Sequence, residues 1–204
     1  MRALASSISR TAIAVALSVS ATAAAQNLIA TNPEFDGDTT GWEGGSGQTT
    51  GLGEDSDGCP DSDSFHAEPT EDGSGTVRAA AVECVTAQPG DVFHLEVRYR
   101  SGVPVYLLLA QFANPDCTVS LIAELGEPLP PSAEWTSARV TTTIEEAGIE
   151  SVRFVILAMD NGASREPYAS DFDRAYLGRE ERIFADDFGG GSPCRWSSSV
   201  AGAE

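Results

Sequence analysis

The clearest pattern in the chain is an alternation between residues 92 and 100. Phe93, Leu95, Val97 and Tyr99 interleave with His94, Glu96, Arg98 and Arg100. A period of two puts successive side chains on opposite faces, so this segment predicts a strand with one buried and one wet face. Val103 to Phe112 follows a Ser101-Gly102 turn. Its run Tyr106-Leu107-Leu108-Leu109 is apolar at every position, as in a strand covered on both faces. Thr76 to Val85, Val119 to Leu125, Trp135 to Ile144, Val152 to Met159 and Tyr168 to Leu177 are further candidates, rich in β-branched and aromatic residues. Turn-forming clusters separate them, at Gln88-Pro89-Gly90-Asp91, Asn114-Pro115-Asp116, Glu127-Pro128 through Pro131, and Asp160-Asn161-Gly162. No helical period intervenes, and strands at this spacing predict an all-β sandwich or barrel. Residues 36–75 are rich in Gly, Ser and Asp and read as long loops around a strand or two.

The first twenty-five residues follow a different pattern. Arg2 and Arg10 give a positive start, Thr11 to Val19 is apolar apart from its hydroxyl residues, and Ala23-Ala24-Ala25 supplies small residues at both positions that a signal peptidase reads. Charged start, short apolar middle and small-residue end predict a secretory leader over residues 1–25, cut before Gln26. The apolar run falls well short of the roughly 20 residues that a membrane-spanning helix needs.

Removing Arg2 and Arg10 with the leader leaves ten basic against thirty-one acidic residues, a formal charge of −21, with no lysine anywhere. Such a field repels nucleic acid and anionic membrane, keeps an extracellular protein soluble and attracts cations. Cys59, Cys84, Cys117 and Cys194 are an even set in an exported chain, which predicts two disulfides; spacing does not choose among the three pairings. They lack the close spacing of a zinc site, and His66 and His94 do not complete one. Asp55-Ser56-Asp57-Gly58 is a fragment of a calcium-loop pattern. Gly53 stands where that pattern needs its first Asp and Ser64 where it needs a closing Glu, so the segment reads as an acidic loop pinned by Cys59. No nucleophile elbow, His-Glu-x-x-His pair or phosphate loop is present, and catalysis finds no support in the motifs.

Three segments carry a family resemblance. The chain after the leader opens Asn27-Leu28-Ile29-Ala30-Thr31-Asn32-Pro33-Glu34-Phe35-Asp36, with Gly41-Trp42 shortly after. It contains Cys84-Val85-Thr86-Ala87-Gln88-Pro89-Gly90-Asp91-Val92-Phe93, and it closes on Ser170-Asp171-Phe172-Asp173-Arg174-Ala175-Tyr176-Leu177. This resembles the jelly-roll, galactose-binding-like carbohydrate-binding modules found beside bacterial cellulases and xylanases, over roughly Gln26 to Gly178. The resemblance implies a jelly-roll β-sandwich of two antiparallel sheets over residues 26–178, acting as a secreted, non-catalytic glycan-binding or adhesion module. A structural cell-envelope protein with the same fold and no sugar site is the alternative, and a hydrolase is the third reading.

The resemblance also implies a structural Ca²⁺ where the opening and closing segments meet, held by Asp36 and Asp173 with backbone oxygens. Arg174 departs from the pattern by replacing a second acid, and Asp171 is the compensating carboxylate. It further places Trp42 and Trp135 under the sandwich. Sugar binding then needs other aromatic platforms with polar partners alongside. The candidates are Tyr99, Tyr106, Phe112 and Tyr168 as platforms, with Arg98, Arg100, Gln111, Asp160 and Asn161 as partners. Residues 179–204 form a tail. Ile183-Phe184-Ala185-Asp186-Asp187-Phe188, with Trp196 beyond, resembles a short segment at the C-termini of many exported proteins of Gram-negative bacteria, which implies a surface-retention or sorting element; the structural alternative is a tail that docks Phe184, Phe188 and Trp196 on the sandwich, tied by Cys194.

Overall fold

The computed structural model describes residues 26–59, 62–70, 75–123, 126–160 and 168–181; the leader, Asn161, Cys194 and the C-terminal motif lie outside them. The alternating segments become strands, as their period dictates. In chain order these are β1 Trp42–Gly44, β2 Gln48–Glu54, β3 Asp63–Pro69, β4 Thr76–Ala81, β5 Val85–Thr86, β6 Val92–Ser101, β7 Val105–Phe112, β8 Ser120–Ala123, β9 Ser132–Thr143, β10 Ser151–Met159 and β11 Ser170–Gly178. Sheet one has the order β1-β4-β10-β7-β8, with β5 also pairing β10; sheet two has the order β2-β3-β11-β6-β9. Every pairing is antiparallel, and no helix occurs among the described residues. The fold is the jelly-roll β-sandwich that the sequence implies.

The inner faces follow strand parity. Phe93, Leu95, Val97 and Tyr99 of β6 meet Val105, Leu107 and Leu109 of β7 and Phe154, Ile156 and Ala158 of β10 in one core. Burying a side chain of this size contributes about 1.5–3 kcal/mol. The reading of the glycine-rich region as long loops around a strand or two differs from the structure. Residues 42–69 supply three strands, β1 to β3. Their apolar content is low because β2 is an edge strand of Thr and Gly whose residues lie half-buried or exposed.

The opening segment is irregular backbone rather than a strand, yet it lies against the last one. Leu28 N donates to Leu177 O at 2.7 Å, and the Asn27 amide bridges Ala175 O (2.9 Å) and Leu177 N (3.1 Å). Phe35 is fully buried between Trp42 and Phe65, with ring centroids 4.7 and 5.7 Å away. The register of β11 shifts between Asp173 and Tyr176, where Arg174 takes φ 52°. This bulge turns the Ala175 N–H away from the ladder to Pro33 O at 2.8 Å.

Cys84 and Cys117 form a disulfide, closing the loop before β5 onto the loop after β7, with Cα atoms 5.8 Å apart. Chain entropy assigns a loop of 33 residues about 3–4 kcal/mol. Cys59 is also disulfide-bonded, to a partner outside the described residues.

Candidate functional site

Parity that sends Phe93 to Tyr99 inward sends His94, Glu96, Arg98 and Arg100 outward, and neighbouring strands of sheet two add polar side chains beside them. The pairing register puts Asp171 of β11 opposite both His66 of β3 and Arg100 of β6, so the three form one row across the sheet. His66 Nδ1 lies 2.7 Å from Asp171 Oδ1, and Arg100 Nε donates to Asp171 Oδ2 at 3.0 Å. Arg100 Nη1 reaches Glu54 of β2 at 3.2 Å, and His66 Nε2 lies 3.4 Å from Glu68 Oε1. Burial works against the Arg100 charge, but Asp171 and Glu54 outweigh it and hold the guanidinium above its ordinary value. At the far end of the row the guanidinium stacks over the Trp135 ring, 5.2 Å from its centroid.

Glu54, His66, Arg100 and Asp171 line an open depression of about 560 Å³ that crosses the sheet from Leu52 on β2 to Ser132 and Ala133 on β9, with Glu68 and Trp135 beside it as the partners of His66 and Arg100. Its floor needs Gly53. A Cβ there would fall 2.7 Å from Asp171 Oδ1 and 2.8 Å from Ser64 Oγ. Trp135 is half-buried, and its indole N–H is buried without a hydrogen-bond partner. An orphaned donor of this kind costs about 1–3 kcal/mol and marks a place where structure yields to something other than stability.

The five residues singled out for ligand binding do not meet. Tyr99 is 1% exposed in the core, with its hydroxyl donating to Pro130 O at 2.8 Å; it shares the inward parity of Phe93 and cannot serve as a platform. Tyr106 and Phe112 lie on the outer face of sheet one, both buried. Gln111 has the inward parity of Leu107 and Leu109 and is also buried. Arg98 is on the outer face of sheet two, paired with Asp57. Three surfaces therefore share the five, because strand parity and sheet membership differ among them. Tyr168 is engaged internally, its hydroxyl donating to Gly75 O at 2.6 Å. Of the polar partners, Arg100 joins the depression.

Trp135, His66 and Glu54 are the site residues that the sequence pattern leaves unmarked. Trp135 is not under the sandwich. It alternates with Ser137 and Arg139 along β9, a parity that could have placed it beside the outward arginines of β6. Nothing local marks His66 or Glu54, which reach the row only through pairing across β2, β3 and β11.

The three carboxylates of the implied calcium site also have separate partners. Asp36 is exposed and accepts the Ser62 hydroxyl at 2.6 Å, while Asp171 belongs to the row above. Asp173 is fully buried and accepts Ser56 N at 3.0 Å and Arg174 N at 2.7 Å. Among the described residues no group of three or more His, Cys, Asp or Glu side chains is arranged to hold a metal ion, so the three do not fit as one calcium set. Burial pushes the Asp173 carboxyl up to about 7, the negative charges of Glu34 and Asp55 adding to the rise and Ser56 opposing it. The acidic loop beside it folds on itself. Asp55 Oδ1 accepts Asp57 N at 2.8 Å and Cys59 N at 2.7 Å, and Asp57 binds Arg98 and Arg174.

No protein-family model matches the sequence, and no curated protein matches it. Solved structures match in fold. A Clostridium thermocellum endo-1,4-β-D-xylanase, comprising CBM22-1 and GH10 modules complexed with xylohexaose, superposes with TM-score 0.52 at 13% identity, over 72% of this chain and 28% of that one. A cyclase from Fischerella sp. TAU gives TM-score 0.51 at 12% identity, over 76% of this chain and 96% of that one. The enzymatically active domain of tailspike protein 4 from bacteriophage CBA120 gives TM-score 0.52 at 12% identity, over 72% of this chain. This chain spans about a fifth of that tailspike chain, 21% of its length. At such identities the likeness is one of fold, shared with carbohydrate-binding modules and with enzymes alike.

Proposed function

We propose that this chain is an exported, non-catalytic glycan-binding module, and that the depression on the outer face of sheet two is where sugar binds. The observation that carries the reading is the convergence of Arg100, His66, Asp171 and Glu54 on one open depression, with the Trp135 ring beside it against the Arg100 guanidinium. Sugars need an apolar surface against which a ring can lie and fixed polar groups for its hydroxyls. Here the polar groups are held by each other on paired strands, so little conformational freedom is lost on binding. A solved structure that shares this fold over 28% of its own length is a two-module xylanase complexed with xylohexaose, which supports a sugar as the ligand.

The test is direct. Titration calorimetry of residues 26–204 against a panel of soluble oligosaccharides should find binding, and Trp135→Ala should weaken it about tenfold with an unchanged melt. A Tyr106→Phe control on the other sheet should bind as the parent does. Absence of binding across the panel, or a Trp135→Ala variant that binds normally, sinks the reading. The alternative is a structural cell-envelope protein of the same fold with no sugar site. That alternative predicts no oligosaccharide binding at all.

A further inference from the structure

We infer that the depression selects a glycan whose rings carry free amino groups and rejects one whose rings carry carboxylates. This rests on the glycan-binding reading above and names the ligand class of the same site.

The shape comes first. From Leu52 on β2 the depression passes His66 on β3, Asp171 on β11 and Arg100 on β6, and ends at Ser132 on β9. That is four strand intervals of about 4.8 Å, or roughly 19 Å. One pyranose ring is about as wide as one interval, so the length suits a run of roughly four rings laid across the strands.

Charge decides the class. Arg100 is already engaged by Asp171 and Glu54. The other arginines of this face are also claimed by carboxylates: Arg98 by Asp57, Arg139 by Glu96 and Glu181, and Arg174 by Glu34 and Asp57. An anionic sugar laid here finds every guanidinium neutralised, within a chain of formal charge −19. The rim at Glu54, and the surface beside His66 at Glu68, are different. Glu54 and Glu68 have side chains 70% and 53% exposed, each touching one cationic or imidazole partner and presenting its remaining oxygen surface to solvent. A carboxylate has room for about four hydrogen bonds. Ammonium groups on successive rings would complete these acceptors with charge-assisted bonds, which a hydroxyl or acetamide makes more weakly.

The experiment compares four ligands by calorimetry on the mature protein: a glucosamine tetramer, the glucosamine dimer, the fully N-acetylated tetramer and a galacturonate tetramer. The free-amine tetramer should bind at least about tenfold tighter than the acetylated tetramer and the dimer, with no binding of the uronate. Rising salt should weaken it. Because any polycation is drawn to an acidic protein, two double variants separate the site from the field. Glu54→Gln with Glu68→Gln should erase the preference for free amines. Glu145→Gln with Glu146→Gln, an equal charge change past the opposite end of β9, should keep it. Equal binding of the acetylated tetramer, preference for the uronate, or equal loss in both double variants overturns this inference while leaving glycan binding standing. Failure of all four ligands, together with the wider panel, removes the glycan reading itself.

Discussion

The two outer faces of the sandwich are made from strands of similar length and carry opposite chemistry. On sheet one, Tyr106, Leu108 and Val155 are 7%, 6% and 4% exposed although they point away from the core, with Ala110, Leu157 and Met159 packed beside them. On sheet two, the corresponding positions hold His66, Arg98, Arg100, Trp135, Arg139 and Asp171, tied by ion pairs between strands far apart in sequence. The first face contributes stability through area removed from water, and leaves little of these side chains for a ligand to touch. The second gains little net free energy from its ion pairs, since desolvation offsets much of their attraction. Its gain is fixed direction for donors and acceptors, which is what recognition of a polar ligand requires.

The comparison breaks most visibly when charge is placed on the apolar face. Val155→Asp should destabilise the fold by about 4 kcal/mol or prevent folding. Thr141→Asp, on the exposed outer side of β9, should stay within about 0.5 kcal/mol. Chemical denaturation measures both, and equal losses would show that the faces do not differ as described.

Next in size is the buried carboxyl of sheet two. Asp173 is raised from 3.8 to about 7, so the fold favours its protonated form. Its stabilising contribution is complete below pH about 4, is lost as pH rises towards 7, and is absent above. The difference amounts to up to about 4 kcal/mol. Asp173→Asn should flatten that part of the pH profile and be more stable than the parent at pH 8. Unchanged pH dependence in the variant would contradict the burial of a charge at this position.

A smaller effect is expected at the depression floor. Gly53→Ala should cost about 1–3 kcal/mol, because the new methyl must displace Asp171 Oδ1 or Ser64 Oγ from the row. The His66 ring resonances in NMR should move with it, whereas Gly51→Ala on the same strand, with open space at its Cβ, should leave them in place. The smallest stability effect belongs to Trp135→Ala. Its ring is half-exposed and its N–H orphaned, so the melt should shift by less than about 1 kcal/mol while oligosaccharide affinity falls. A large loss of stability with no loss of affinity would make Trp135 a packing residue after all.

The sequence by itself determined the strands with a strong period and the side each residue takes within them. Phe93 to Tyr99 inward and His94 to Arg100 outward follow from the geometry of an extended chain, which needs no knowledge of its neighbours. The same rule places Tyr99 in the core, against its reading as a sugar platform. Strand β2 is not legible because an edge strand of Thr and Gly carries no alternation of apolar residues, and β3 offers only Phe65 and Ala67. Which outward side chains meet depends on how the strands are ordered in the folded sheet. His66, Asp171, Arg100 and Trp135 come from four strands, and the order β3-β11-β6-β9 that aligns them is a property of sheet topology rather than of any local segment. Asp171 and Asp173 make the same point on one strand. Two residues apart with the same parity, one gains a histidine and an arginine, and the other two backbone amides and full burial. The surroundings of each are set by what the rest of the chain brings to it.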